Sequence, residues 1–206
     1  DGIDLEVRAG EVVGIAGVSG NGQQELLYAL SGEDTRAAPS AIQVFGKAMG
    51  HHGPSHRRHL GVHFVPEERL GRGAVPRMTL AENALLTAHR RNLVKKGLID
   101  FAAVDVFAFE CISRYDVKCG GPTAQAKSLS GGNLQKALLA RELAWEPTLL
   151  LAAQPTRGLD VAAARDSAAA GANAARANLE QGLAELRDAE ASYRRAQDLH
   201  AKKFIP

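Results

Sequence analysis

Leu129-Ser130-Gly131-Gly132-Asn133-Leu134-Gln135-Lys136 is a turn of small residues that opens a helix running to Leu143. Glycines let backbone N–H groups approach an anion, and the field at a helix N-terminus favours negative charge there. The Ser130 hydroxyl adds a further donor. Alone, such a turn reads as a helix cap. Two other stretches bear on it. Upstream, Glu11-Val12-Val13-Gly14-Ile15-Ala16 reads as a buried strand that feeds the glycine-rich turn Gly17-Val18-Ser19-Gly20-Asn21-Gly22. A helix over Gln23 to Leu30 follows and closes at Ser31-Gly32, where glycine suits the left-handed C-terminal position. Downstream, Thr148 to Ala152 reads as a second buried strand, continuing into Ala153-Gln154-Pro155-Thr156-Arg157-Gly158-Leu159-Asp160.

Between these motifs, Ile42-Gln43-Val44 closed by Gly46 suggests an edge strand. Thr79-Leu80-Ala81-Glu82 fits a capping box, which starts a helix through Asn83, Leu85 and Leu86. Strands alternating with helices predict an α/β core with a parallel sheet over residues 1–161. From residue 162 to 206 glycine and proline nearly vanish. Leu179, Leu183, Leu186, Ala189, Tyr193 and Ala196 recur there at steps of three or four, which predicts a long coiled-coil-like helical tail in need of a helix partner.

The order and spacing of the three motifs resemble the ATP-binding domain of ABC transporters: phosphate loop, signature motif, Walker B strand and D-loop, on a P-loop NTPase-like core. More narrowly, GVSGNGQ, VPEERLGRG, LSGGNLQK and AAQPTRGLD look like the second, degenerate ATPase domain of ribose- or nucleoside-type importers. The resemblance implies ATP as ligand, a second ABC ATPase domain and membrane permease subunits as partners, and a place on the inner face of the cell membrane. It assigns nucleotide contacts to Gly17, Ser19, Gly20, Asn21, Gly22, Gln23 and Gln24. Ser130, Gly131, Gly132 and Asp160 would face a nucleotide held by the partner domain.

The chain departs from the family pattern where charge is handled. A working phosphate loop places Lys and Ser/Thr where Gln23 and Gln24 stand. The metal-linked Asp falls at Ala153 and the water-polarising carboxylate at Gln154, an amide that cannot act as a base. Glu67 stands where a γ-phosphate-sensing Gln is usual. These changes predict a site that does not hydrolyse its own ATP, with Mg²⁺ mainly at the partner's site. The family's switch His and closing strand find no counterpart beyond Val161, so a truncated core is expected.

The formal charge of +2 demands no nucleic-acid partner, and the sequence holds no apolar run of about 20 residues. Cys111 and Cys119 read as reduced thiols, and the absence of a basic, apolar leader predicts a cytoplasmic chain. His51, His52, His56, His59 and His63, near Arg57 and Arg58, read as a solvated loop rather than a metal site. Trp145 is expected in the core. The tail after residue 161 resembles one arm of the helical hairpin in periplasmic adaptor proteins. That leaves a helical interaction protein, or a chimeric product, as alternatives to an importer component.

Overall fold

The computed structural model describes residues 2–17, 20–88 and 93–156. Ser19, Asp160 and the expected tail over 162–206 lie outside the described residues.

The centre is a parallel pair, β3 (Val62–Val65) and β6 (Leu149–Ala152), in the register Val62↔Leu149 to Val65↔Ala152. It carries the expected parallel pairing and the expected strand at Thr148–Ala152. Two hairpins flank β3 in sequence. In the first, β1 (Gln43–Val44) pairs with β2 (Lys47–Ala48) across Phe45-Gly46, both in the left-handed region. In the second, β4 (Val94–Lys95) pairs with β5 (Leu98–Ile99) across Lys96-Gly97, again both left-handed. Positive φ at both central residues matches the right-handed twist of the flanking strands.

Helices α1 (Gln23–Ser31), α2 (Pro54–His59) and α5 (Gly131–Leu143) contact β3. Away from the sheet, α3 (Leu80–Ala88), α4 (Phe101–Arg114) and α5 pack on one another. Their core is small-residue rich: Ala81, Ala84, Ala88, Ala108 and Ala140 around Val104, Phe107 and Cys111. Leu134, Leu138, Leu139 and Leu143 of α5 join Val65 in a second core beneath the sheet. Helix α5 is therefore buried on two sides, and its position fixes that of the Ser130 turn. Trp145 packs against the edge of the first core, as expected.

The sequence signals at helix ends are realised. Gly32 closes α1 at φ 83°. The capping box is reciprocal, with Thr79 N–H donating to Glu82 Oε2 at 2.7 Å and Glu82 N–H to Thr79 Oγ1 at 3.1 Å. Thr79→Ala is therefore expected to lower the urea-unfolding free energy by about 1 kcal/mol. An unchanged midpoint would show that the box contributes nothing.

Two expectations fail. The run Glu11–Ala16 forms no strand: Val12 is 81 % exposed, and Val13 and Ile15 are also open to solvent. An apolar run becomes a strand only beside an edge of matching register, and among the described residues β6 pairs with β3 alone. The histidine-rich stretch is not a solvated loop either. It contains α2 and β3, and both Arg57 and His63 are buried.

Candidate nucleotide and signature sites

The phosphate-loop residues surround the N-terminus of α1. Gly20 and Gly22 adopt φ 90° and 89°, which only glycine takes without strain, and Asn21 between them is exposed. Gly22 is the N-cap and supplies no side-chain acceptor, so it leaves the first N–H groups of α1 to other partners. The two glutamines behave differently from the residues they replace. Gln23 folds its amide back over Gly17, where any Cβ would collide with Gln23 Nε2. Gln24 Nε2 donates to the Tyr28 hydroxyl one turn later. Arg72 donates to the same oxygen, lies 4.4 Å over the Tyr28 ring, and bonds Glu33 Oε1 at 2.7 Å.

At the end of β6, Ala153 is buried and its N–H donates to Val65 O at 2.9 Å. Gln154 takes a left-handed φ of 44°, unusual for a residue with a side chain. Its Nε2 donates to Glu67 Oε1 at 2.9 Å, so the two positions singled out for catalysis bond one another. An amide in that role can accept and donate hydrogen bonds but can take no proton from water. Backbone donors at the α1 N-terminus fit a phosphate. The side chains at the positions to which the sequence resemblance assigns the metal ligands, the amide of Gln24 and the methyl of Ala153, do not fit a divalent metal. Among the described residues no cluster of His, Cys, Asp and Glu could hold one.

The signature turn is built otherwise. Ser130 is the N-cap of α5 and is exposed. Its Oγ accepts from Asn133 N at 3.4 Å and from Asn133 Nδ2 at 3.0 Å. Both lone pairs of the hydroxyl are then engaged, which turns its proton outward as a donor. Asn133 is held in turn, its Oδ1 accepting from Lys118 N–H at 2.8 Å. Gly131 and Gly132 follow as the first helical residues.

A family model described as ABC transporter matches residues 1–157. The chain belongs to the ABC transporter family. Its ABC sequence is similar to the nucleoside import ATP-binding protein NupA of Lactococcus lactis subsp. cremoris, 44% identical over 163 residues, 79% of this chain and 32% of that protein. It is also similar to the ribose import ATP-binding protein RbsA of Chromobacterium violaceum, 39% identical over 160 residues, 78% of this chain and 32% of that protein. The chain thus spans about a third of the length of the curated relatives it matches. Among solved structures, the dimeric post-hydrolysis state of the ATP-binding cassette MJ0796 bound to ADP and Pi superposes with a TM-score of 0.67 at 23% identity. That match covers 81% of this chain and 70% of the other, and it shows the ABC fold.

The roles of Arg69 and Arg72 near these sites, and of Asp100 away from them, escaped the sequence reading. Arg69 and Arg72 project from the Pro66–Gly73 loop to different helices, and nothing in their spacing says which. Asp100 caps α4 by accepting from Ala103 N–H at 3.1 Å. Asp before Phe-Ala-Ala-Val is a usable helix-start signal.

Proposed function

We propose that this chain is the ATP-binding part of an ABC importer for sugars or nucleosides, of the degenerate kind whose own site is catalytically silent. It acts by presenting Ser130, Gly131 and Gly132 to ATP held by a partner ATPase domain. One contrast carries the reading: the residues at the chain's own catalytic positions are spent on internal bonds, whereas the signature turn is exposed with its donors aimed outward. Gln24 is tied to Tyr28 and Gln154 to Glu67. Ser130 is a capped and solvent-facing hydroxyl.

In this role the Ser130 hydroxyl and the N–H groups of Gly131 and Gly132 are fixed dipoles that stabilise charge on a transferring phosphoryl group, and they need no base of their own. Mg²⁺ belongs to the partner's site, because the ligand positions here are amide and methyl groups. Gly17, Ser19, Gly20, Asn21, Gly22, Gln23 and Gln24 hold a second nucleotide through backbone donors, and Asp160 faces the partner across the same interface. The permease subunits keep the assembly on the cytoplasmic face of the membrane. Among the described residues, no helix is long and apolar enough to cross it.

The decisive experiment is Ser130→Ala in this chain, assembled with its partner ATPase domain and the permease. ATP turnover should fall by about a hundredfold, the usual effect of removing one preorganised donor. The chain without its partner should show no Mg²⁺-dependent turnover. Rapid hydrolysis by the chain alone, or a partner indifferent to Ser130→Ala, would sink the proposal.

A further inference from the structure

One face of α5 is read end to end by the chain segment that contains β3 and the loop after it. Gly131, Gln135, Leu138 and Glu142 recur at steps of four, three and four, which places them on a single helical stripe. At the far end, Glu142 is bonded by Arg58 and His63. In the middle, Gly73 sits so close that a Cβ on it would lie 2.8 Å from Leu138 Cδ1. At the signature end stands Arg69. Its Nε donates to Gln135 Oε1 at 3.0 Å, and its Nη1 lies 2.5 Å from where a Gly131 Cβ would be.

The loop that delivers Arg69 is closed on itself. Gly73 N–H donates to Glu68 O at 3.0 Å and Ala74 N–H to Arg69 O at 2.7 Å, so the Arg69 backbone is pinned. Gln135 is 1 % exposed, and among the described residues its Nε2 has no hydrogen-bond partner, so the bond from Arg69 to its Oε1 orients the buried amide. The guanidinium lies against Gly131 at the first turn of α5.

We propose that Arg69 is a positioning residue for the signature turn. It clamps Gly131 and Gln135 so that Ser130 and the first α5 amides keep one orientation. A Cβ on Gly131 would fall 2.5 Å from Arg69 Nη1, so a side chain there would displace the guanidinium. The catalytic consequence rests on the trans role argued above, whereas the clamping itself does not.

The test is a double-mutant cycle in the full chain assembled with its partner domain. Arg69→Ala should lower kcat at the partner's site by about tenfold with KM for ATP changed by less than about twofold. Gly131→Ala should speed exchange of the first α5 amides in the wild-type background, yet add little when Arg69→Ala is already present, because the collision is gone. Hydrogen exchange supplies a readout independent of turnover. Amides of Asn133 and Leu134 should exchange about tenfold faster in Arg69→Ala than in the wild type, with no change in Arg72→Ala, which leaves the α5 anchor intact.

Should Arg69→Ala fail to fold, Gly131→Ala alone must still loosen the same amides. If Ser130→Ala spares turnover while Arg69→Ala loosens the turn, the trans reading falls and the clamp stands. Additive effects of the two substitutions on exchange, or unchanged exchange in Arg69→Ala, would overturn the clamp.

Discussion

Arg57→Ala is expected to lower the unfolding free energy by about 3–5 kcal/mol, because it strips four buried main-chain carbonyls of their donor. Arg57 is 0 % exposed, and among the described residues it has no ion-pair partner. Four of its five N–H groups donate to main-chain carbonyls. Nη1 donates to Ala29 O and Leu30 O, each at 2.5 Å, Nη2 to Met49 O at 2.7 Å, and Nε to His52 O at 3.0 Å. Ala29 and Leu30 are among the last carbonyls of α1, which no intrahelical N–H can reach. Tyr28 O in the same turn is taken by the N–H groups of Gly32 and Asp34. Arg57 thus completes the cap, and a cation at a helix C-terminus is also favoured by the helix field.

Truncation to Ala leaves four carbonyls without their donor, each costing about 1–3 kcal/mol if it stays dry. Partial hydration brings the total into the stated range. Lys has one ammonium in place of the planar fork, so Arg57→Lys should recover only part of the loss. Urea unfolding followed by circular dichroism reads both variants. A cost below about 1 kcal/mol for Arg57→Ala would show that water replaces the guanidinium freely. Burial pulls the Arg57 pKa below its ordinary value, in keeping with a cation that is hydrogen-bonded but not charge-paired.

Arg57 also marks where sequence reasoning stops. Helix ends were legible because their chemistry is local: Thr79 and Glu82 find each other three residues apart, and Gly32 answers a need of its own φ. The Ser130 turn was legible for the same reason. Arg57, amid five histidines, has the composition of a solvated loop. Its burial depends on carbonyls 27 and 28 residues away in α1. The Glu11–Ala16 run erred the other way, since its apolar pattern states a capacity for burial and not the presence of a neighbour. Gln154 and Glu67 were each singled out, but their bond spans 87 residues and depends on the β3–β6 register. Pairings of that kind are set by the fold.

Acidification should weaken the molecule through Glu142, by about 3 kcal/mol between pH 5 and pH 2. The Glu142 carboxylate is 0 % exposed. Oε2 accepts from Arg58 Nη1 at 2.6 Å and from His63 Nδ1 at 2.8 Å, and Oε1 from Arg141 Nε at 2.9 Å. A carboxylate only accepts, so the His63 ring carries its proton on Nδ1, and its 3.0 Å approach to Arg58 is proximity rather than a bond. Burial alone raises the Glu142 pKa. The His63 hydrogen bond, with Arg141 and Arg58, outweighs it and holds the group down at about 2 against an ordinary 4.5.

A depressed folded pKa means that the stabilisation is complete above about pH 4.5 and is lost as pH falls through that range towards 2. Glu142→Gln removes the titration. At neutral pH the variant should be less stable by about 3 kcal/mol, because Arg58 and Arg141 lose their counter-charge in the interior. As the wild-type carboxylate protonates, the two stabilities should converge. Urea denaturation of both proteins across this window measures the convergence directly, since the exposed carboxylates titrate alike in each. A gap that stays constant from pH 7 to pH 2.5 would mean that Glu142 has the same pKa folded and unfolded. Helix α5 would then be held at its C-terminal end by packing, with its signature turn anchored electrostatically at Arg69 alone.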